Sequence, residues 1–194
     1  MKILQKILSN NYQPMFIIFG LGNPGQKYNN NRHNIGFLFI DYLFNKYSNN
    51  ISFKSKYSSC YDKTQINGSD IVLVKPQTYM NNSGSSATAF KRFFKVDLNK
   101  IFVVHDEIDL KFDQVKLKNA GGNAGHNGLK DITNKIGNDY WRLRIGVDHP
   151  RNLGLSQQVS NYVLEDFKNS EQECFENIFH KSEDLLLKKL TELK

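Results

Sequence analysis

The sequence is poor in cysteine and proline and contains no long apolar run. Its 194 residues include two cysteines and four prolines. Cys60 and Cys174 are far apart and form no C-x-x-C pair, so we predict neither a disulfide framework nor a zinc site of that kind. This cysteine usage fits a reducing cytosol, and we therefore expect a cytoplasmic protein. No apolar run approaches the ~20 residues that a transmembrane helix requires, so we expect no membrane span.

Several short motifs of common enzyme classes are also absent. The chain contains no G-x-S-x-G nucleophile elbow, no H-E-x-x-H pair of zinc ligands and no G-x-x-x-x-G-K-[ST] phosphate loop. These absences disfavour a serine hydrolase of that type, a zinc hydrolase and an NTPase. We therefore predict that the protein uses neither a metal nor a cofactor.

The sequence does contain an excess of positive charge. Lysine and arginine number 26 against 19 acidic residues, which gives a formal net charge of +7. This surplus favours a polyanionic partner such as a nucleic acid, although a proteome that is basic throughout produces the same balance. The length predicts a single domain, which we expect to span residues 15–194. Residues 1–14 are predicted to be a mobile N-terminal extension, because they lack the apolar segment of a signal peptide.

Hydrophobic patterning predicts strands that alternate with helices, which indicates an α/β fold. Strands are predicted at residues 16–19, 54–62, 71–75, 101–104, 115–117 and 141–147. Helices are predicted at residues 35–47, after Ser83 through Ala87, Phe90 and Phe94, at 129–136 and from 169 onward. Asn67-Gly68 is a hairpin turn signal, Pro76 ends a strand, and Ser83 is a candidate helix cap. The strand at 101–104 is wholly apolar, as expected of a strand buried on both faces of a sheet.

The loop after the first predicted strand is rich in glycine and amides. It reads FGLGNPGQKYNNNRHNIGF from Phe19 to Phe37, and open α/β sheets commonly place their sites in such a loop. Three of its glycines spell G-x-G-x-x-G, the dinucleotide fingerprint. However, no helix is predicted at the third glycine, and Pro24 keeps Asn23 out of the helical region. The favoured interpretation makes His33 a base surrounded by amides.

Polar residues also follow two other predicted strands and occupy a second glycine-rich loop. These residues are Met80, Asn81, His105, Asp106, His126 and Asn127. If the strands are neighbours in one sheet, all of these loops open at the same edge.

A carboxylate that faces a histidine has a specific chemical use. It accepts one ring N–H, fixes the tautomer and leaves the other ring nitrogen basic. An imidazole with a pKa near ~6.5 activates water at neutral pH, and neighbouring asparagine amides hold a carbonyl or a water without lowering its basicity. The residues alone leave alternatives open, in which Asp106 caps a loop and His33 lies at the surface. We expect His105 to be structural or to face solvent.

Basic residues are concentrated on either side of the second glycine-rich loop. They are Lys75, Lys116, Lys118, Lys130, Arg142 and Arg144. Lysine and arginine are suited to contact phosphate, and the alternative for each residue is a solvated strand face. Their concentration favours a groove that binds a polyanion.

Four motifs resemble the signatures of the bacterial-type peptidyl-tRNA hydrolase family, in the order that the family shows. They are GLGNPGQKYNNNRHNIGF, KPQTYMNNSG, HDEIDL and GGNAGHNGLKDI, and the resemblance extends over residues 15–164. It implies a monomer with a single α/β domain, in which a twisted mixed β-sheet is flanked by α-helices. The implied reaction is metal-independent hydrolysis of the ester that joins a peptide to the 3′ end of tRNA.

The resemblance also implies roles for individual residues. His33 is the proton acceptor that activates water, Asp106 stabilises its basic form, and Asn23 favours peptidyl-tRNA over aminoacyl-tRNA. The residues implied to contact peptidyl-tRNA are Tyr28, Tyr79, Met80, Asn81, His126, Asn127, Lys118 and Arg144. The last two are implied to clamp the 5′ phosphate of the tRNA.

The sequence departs from the family pattern at several positions. Asn31 replaces the usual threonine, and Lys111 follows HDEIDL in place of a Pro-Gly turn. Ala120, Asn123 and Ala124 stand where glycine or histidine is more common. None of these changes removes a proposed catalytic group, but we expect them to alter loop mobility and tRNA affinity. Two alternatives stay open: a non-catalytic RNA-binding splicing partner of the same fold, and a small-molecule esterase, against which the basic loops argue.

Overall fold

The computed structural model describes residues 15–194, so the extension predicted for residues 1–14 lies outside the described residues. Within them, seven strands form one mixed sheet in the order β2-β3-β4-β1-β5-β7-β6. The strands are β1 (Met15–Gly20), β2 (Lys54–Lys56), β3 (Ser59–Ile66), β4 (Ser69–Pro76), β5 (Ile101–Glu107), β6 (Val115–Asn119) and β7 (Trp141–Gly146). β4, β1, β5 and β7 are mutually parallel, whereas β3 and β6 run antiparallel to their neighbours. The predicted mixed α/β sheet is confirmed.

Helices cover both faces of this sheet. They are α1 (Ile35–Tyr47), α2 (Ser83–Phe94), α3 (Asn127–Ile136), α4 (Val159–Tyr162), α5 (Asn169–Gln172) and α6 (Phe175–Glu192). α1 and α6 pack on one face, and α2 and α3 pack on the other, so that a buried apolar layer lies on each side of the sheet. No helix in the described part of the chain is both long enough and apolar enough to cross a membrane.

Two glycines allow the first turn of α1 to touch the sheet. A Cβ on Gly36 would lie 2.4 Å from the backbone nitrogen of Leu21 and 2.5 Å from the carbonyl oxygen of Val104. A Cβ on Gly20 would lie 2.2 Å from the carbonyl oxygen of Gly36. Any larger residue would push the helix away from β1 and β5. This close approach brings the residues just before α1 to the carboxyl end of β5.

The predicted strand at 54–62 is wrong, because a turn divides it into β2 and β3. Tyr57 and Ser58 at the turn both have φ of 50°. Neither residue belongs to the types that favour this conformation, so the sequence carried no signal for the turn. At the next turn Asn67 has φ of 47° and Gly68 has φ of 71°, which confirms the predicted hairpin turn.

Three other local predictions are corrected by the structure. Ser83 is not a helix cap: it is the first residue of α2, and its hydroxyl donates to the carbonyl oxygen of Met80 at 2.9 Å. The helix predicted from residue 169 onward is divided into α5 and α6. His105 and Asp106 lie within β5, not in the loop that follows it.

Candidate active site

The carboxyl ends of β4, β1 and β5 meet at one edge of the sheet, and a cleft of about 570 Å³ lies there. The prediction that separate loops converge is therefore confirmed. Of the residues predicted from the sequence, the cleft is lined by Asn23, His33, Tyr79, Met80, Asn81, Asp106, His126 and Asn127.

The backbone around His33 is held by a segment far along the chain. The amide of Arg32 donates to the carbonyl oxygen of Glu165 at 3.0 Å, and the amide of His33 donates to that of Val163 at 2.8 Å. The buried guanidinium of Arg32 stacks over the ring of Tyr162 at 4.4 Å and pairs with Glu171 at 3.0 Å. These contacts fix the turn that carries His33 at the entrance to α1.

The ring of His33 faces the carboxylate of Asp106. Its Nδ1 lies 2.8 Å from Oδ1 of Asp106, which fixes the proton on Nδ1 and leaves Nε2 as the basic nitrogen. Burial acts to lower the pKa of His33, but the Asp106 carboxylate, through its charge and its hydrogen bond, raises it above 6.5 overall. The arrangement excludes both alternatives left by the sequence: His33 is not a surface histidine, and Asp106 does not cap a loop.

Two further histidines surround Asp106. Nε2 of His126 lies 3.1 Å from the same Oδ1 of Asp106. Burial would raise the pKa of Asp106, but His33 and His126 together hold it well below its ordinary value of 3.8. His105 donates from Nδ1 to the carbonyl oxygen of Asp106 at 2.7 Å, and burial lowers its pKa to about 3. Of the two expectations for His105, the structural one is confirmed, and this ring is uncharged at neutral pH.

The amide of Asn23 has a fixed orientation. The backbone of Asn23 is paired at both ends with the side chain of Asn34, at 2.8 and 3.0 Å. Oδ1 of Asn23 accepts a hydrogen bond from the amide of Met80 at 2.9 Å. With its oxygen held, Asn23 presents to the cleft an NH₂ group that donates to no other described residue. Asn81 and Asn127 also line the cleft and are exposed.

The amino-acid sequence matches a known protein family along nearly its whole length. A family model described as "Peptidyl-tRNA hydrolase" matches residues 17–193. The chain belongs to the peptidyl-tRNA hydrolase family. The resemblance noted from the four motifs is thereby confirmed.

Individual relatives of this family are similar over most of their length. A peptidyl-tRNA hydrolase of Rickettsia bellii (strain RML369-C) is 45% identical over 184 residues, which cover 93% of this chain and 98% of the relative. A peptidyl-tRNA hydrolase of Bordetella petrii is 45% identical, with coverage of 85% and 79%. The crystal structure of peptidyl-tRNA hydrolase from Acinetobacter baumannii superposes with a TM-score of 0.82 at 38% identity, covering 92% of this chain and 89% of that one.

Three of the residues that the hydrolase resemblance singled out lie outside the cleft. Tyr28 is half-buried and contacts the ammonium group of Lys27, 4.7 Å from its ring centre. Lys118 is exposed on β6. Arg144, on β7, donates from Nε to Oε2 of Glu107 at 2.9 Å. Because Glu107 lines the cleft, this pair connects the basic strands with the active-site edge.

Two basic residues predicted to contact phosphate have other partners. Arg142 is buried and donates to the carbonyl oxygen of Gly122 at 2.6 Å and to Oδ1 of Asn138 at 2.5 Å. It fastens the glycine-rich loop and is not available to a polyanion. Lys75 pairs with Asp41 on α1. The expectation for Arg142 was wrong, whereas Lys116, Lys118 and Lys130 are exposed as expected.

The glycine-rich loop contains alanine in backbone conformations that favour glycine. Ala120 has φ of 54° and Ala124 has φ of 44°. A residue with a Cβ in this left-handed region costs roughly 1–2 kcal/mol relative to glycine. Two of the positions where the sequence departs from the family pattern, Ala120 and Ala124, are therefore positions of local strain.

The apolar wall of the cleft was missed by the sequence analysis. It is formed by Ile108, Val159, Val163 and Leu164, together with Ser160. Four of these residues belong to α4 or directly follow it, and α4 has only four residues. A helix this short leaves no periodic pattern, so no signal in the sequence could have identified the wall.

The hydrogen bonding of the cleft bears on whether it could hold a metal. His33, Asp106 and His126 each offer a ligand atom, and these atoms lie within 4.8 Å of one another. However, Nδ1 of His126 accepts the amide N–H of Leu129 at 3.3 Å. A metal on Nε2 would require a proton on Nδ1, which would then face that N–H. The hydrogen bonds therefore fit proton transfer better than metal binding.

Proposed function

We propose that His33 is the general base of peptidyl-tRNA hydrolysis in this protein, and that Asp106 holds it in the tautomer with a basic Nε2 and stabilises the imidazolium once the proton has been taken. The observation that carries the proposal is the 2.8 Å contact between Nδ1 of His33 and Oδ1 of Asp106. The pair lies in a cleft lined by asparagine amides, which can hold a carbonyl or a water beside the imidazole. The Asp106 carboxylate raises the pKa of His33 above its ordinary value of 6.5 despite burial, and an imidazole of this kind can accept a proton from water near neutral pH.

The reaction begins when Nε2 of His33 takes a proton from water as its oxygen attacks the ester carbonyl. The negative charge of Asp106 stabilises the resulting imidazolium. The bond between the carbonyl carbon and the 3′ oxygen of the ribose then breaks, and the imidazolium returns its proton to that oxygen. The products are a peptide with a free carboxyl group and a tRNA with a free 3′ hydroxyl.

We assign substrate discrimination to the NH₂ group of Asn23. In peptidyl-tRNA the α-nitrogen is acylated, and the adjacent carbonyl oxygen can accept a hydrogen bond from this donor. In aminoacyl-tRNA the α-nitrogen is a free ammonium group, which has no acceptor to offer to an N–H donor. A site built to satisfy a polar group rejects a substrate that leaves the group unpaired.

The tRNA itself is assigned to the basic strands beside the cleft. Lys118 and Arg144 are proposed to contact the 5′ phosphate, with the exposed Lys116 opposite Arg144 in the β6–β7 pairing. Tyr79, which is 61% exposed at the cleft, is available to stack on a terminal base. We further propose that the enzyme acts in the cytoplasm as a monomer; light scattering of the purified protein tests the oligomeric state, and fractionation of cells tests the compartment.

The deciding experiment measures peptide release from an N-acetylated aminoacyl-tRNA, with the unblocked form as a matched control and with EDTA present. We expect release from the blocked substrate alone. Equal cleavage of both substrates would support the hydrolase activity but contradict the role proposed for Asn23. Tight RNA binding without release would instead favour the non-catalytic splicing partner, an alternative that the comparisons do not support.

A further inference from the structure

One carboxylate oxygen is shared by two histidines in the cleft. Oδ1 of Asp106 lies 2.8 Å from Nδ1 of His33 and 3.1 Å from Nε2 of His126. The two rings are 4.8 Å apart at their centres and are inclined at 44°. The proposed reaction uses the contact with His33 and assigns no role to the contact with His126.

The helix behind His126 determines which of its ring nitrogens carries the proton. Nδ1 of His126 accepts the backbone N–H of Leu129, and this contact caps the first turn of α3. A backbone N–H can only donate, so Nδ1 is unprotonated and the ring proton is on Nε2. Nε2 therefore donates to Asp106, as Nδ1 of His33 does. Oδ1 of Asp106 accepts two N–H groups at once.

The other charged groups near this contact already have partners. Glu107 is paired with Arg144 on β7, and Arg142 is bound to the glycine-rich loop. Arg32, which precedes His33, is paired with Glu171. The uncharged ring of His105 packs against His126 at 5.1 Å, edge to face. Apart from His33, the group that can change the charge felt at the Asp106 carboxylate is therefore His126, through its hydrogen bond to Oδ1.

We propose that His126 is a positioning residue whose Nε2–H donates to the Asp106 oxygen that holds His33, and so limits how strongly the carboxylate stabilises protonated His33. This inference rests on the proposed function and differs from the role that the family resemblance implied, which was contact with the substrate. A carboxylate oxygen that accepts one N–H is a stronger partner for an imidazolium than an oxygen that accepts two. His126 thereby keeps His33 able to return its proton to the leaving oxygen.

Two substitutions separate the two hydrogen bonds of His126. The side-chain oxygen in His126→Asn occupies the place of Nδ1, so this variant keeps the helix cap but cannot reach Asp106. The side-chain nitrogen in His126→Gln occupies the place of Nε2, so this variant keeps the donor to Asp106 and loses the cap. We expect the ratio of kcat at about pH 6 to kcat at about pH 8 to fall roughly tenfold in His126→Asn, the loss that one hydrogen bond to a charged group accounts for. The ratio in His126→Gln should stay near that of the wild type.

The outcomes distinguish this inference from the proposed function. An inactive wild-type protein would refute the proposed function. An active wild type with an unchanged pH ratio in His126→Asn would refute the inference alone, and so would a raised KM with no change in the pH profile, which would indicate a substrate contact. Nitrogen-15 NMR of the wild type gives a second test that needs no variant. A protonated Nδ1 on His126 would overturn the inference.

Discussion

Replacing Asp106 by asparagine separates the charge of this side chain from its shape. The amide oxygen can still accept the N–H of His33, but the negative charge is gone. Burial of the imidazole is then unopposed, so the pKa of His33 falls instead of lying above 6.5. The asparagine can also turn its NH₂ group toward His33, which places the ring proton on Nε2 and removes the basic nitrogen from the cleft.

The expected fall in kcat can be estimated from the rate enhancement that a general base supplies. A positioned general base accelerates a reaction by typically ~10²–10⁴-fold. Because Asp106→Asn disables the base in one orientation of the amide and weakens it in the other, we expect kcat to fall by roughly 10²–10⁴-fold. This loss corresponds to about 3–5 kcal/mol of transition-state stabilisation.

The assay is the pH dependence of peptide release from N-acetylated aminoacyl-tRNA between about pH 5 and pH 9. His33 must be neutral to accept a proton, so wild-type activity rises with pH through a pKa above 6.5. In Asp106→Asn, kcat should level off at a smaller value than in the wild type and should reach that plateau at a lower pH. The tRNA affinity and the circular dichroism spectrum should match those of the wild type. An acid limb at its wild-type position, or full activity, would refute the reasoning.

Three further changes test other parts of the molecule. His33→Ala should abolish turnover while tRNA binding in a filter assay persists; retention of most activity would show that another group is the base. Lys118→Ala should reduce the slope of log affinity against log salt by about one, and Lys188→Ala, an exposed lysine on α6, should not; equal slopes for both would remove Lys118 from the phosphate. Burial tends to raise the pKa of Glu183, but hydrogen bonds from Lys46 and two tyrosines lower it overall. Glu183→Gln should therefore lose ~1–3 kcal/mol of unfolding free energy in urea at neutral pH, and the difference should shrink as the pH falls through that lowered pKa; a difference independent of pH would contradict this account.

The sheet and the pairing of the base were predictable because both leave a local signal. The wholly apolar sequence at 101–104 predicted a strand buried on both faces of the sheet, and β5 is buried along its whole length. The glycine-rich loop before His33 predicted polar groups at the edge of the sheet. The bounds predicted for α1, residues 35–47, agree with the structure. Parallel neighbours bring their carboxyl ends to one edge, so Asp106 could be expected near His33 without coordinates. The residues alone still left a loop cap and a surface histidine open, and only the family resemblance implied that the two side chains act together.

Other features depend on contacts between distant parts of the chain and left no such signal. The turn at Tyr57 and Ser58 is imposed by the pairing of β2 with β3, against the preferences of both residues. Arg142 and Arg144 are two residues apart and were predicted alike. The first is buried and fastened to the glycine-rich loop, and the second is paired with Glu107 at the cleft. The charge pattern could not predict which of the two arginines is buried, because burial is decided by the packing of distant parts of the chain.

The attachment of the His33 turn to the wall of the cleft also constrains how the molecule can move. From Asn30 to His33, the backbone is joined to residues 163–167 by amide hydrogen bonds of 2.8 to 3.0 Å. α4, which precedes these residues, cannot swing outward to widen the exit for a bulky product unless the backbone of the base loosens as well. Hydrogen exchange should therefore show the amides of Arg32, His33 and Phe167 opening together, as one unit. When the wall opens in this way, the backbone that positions His33 is released as well. The hydrolysis step and the opening of the wall therefore cannot take place at the same moment.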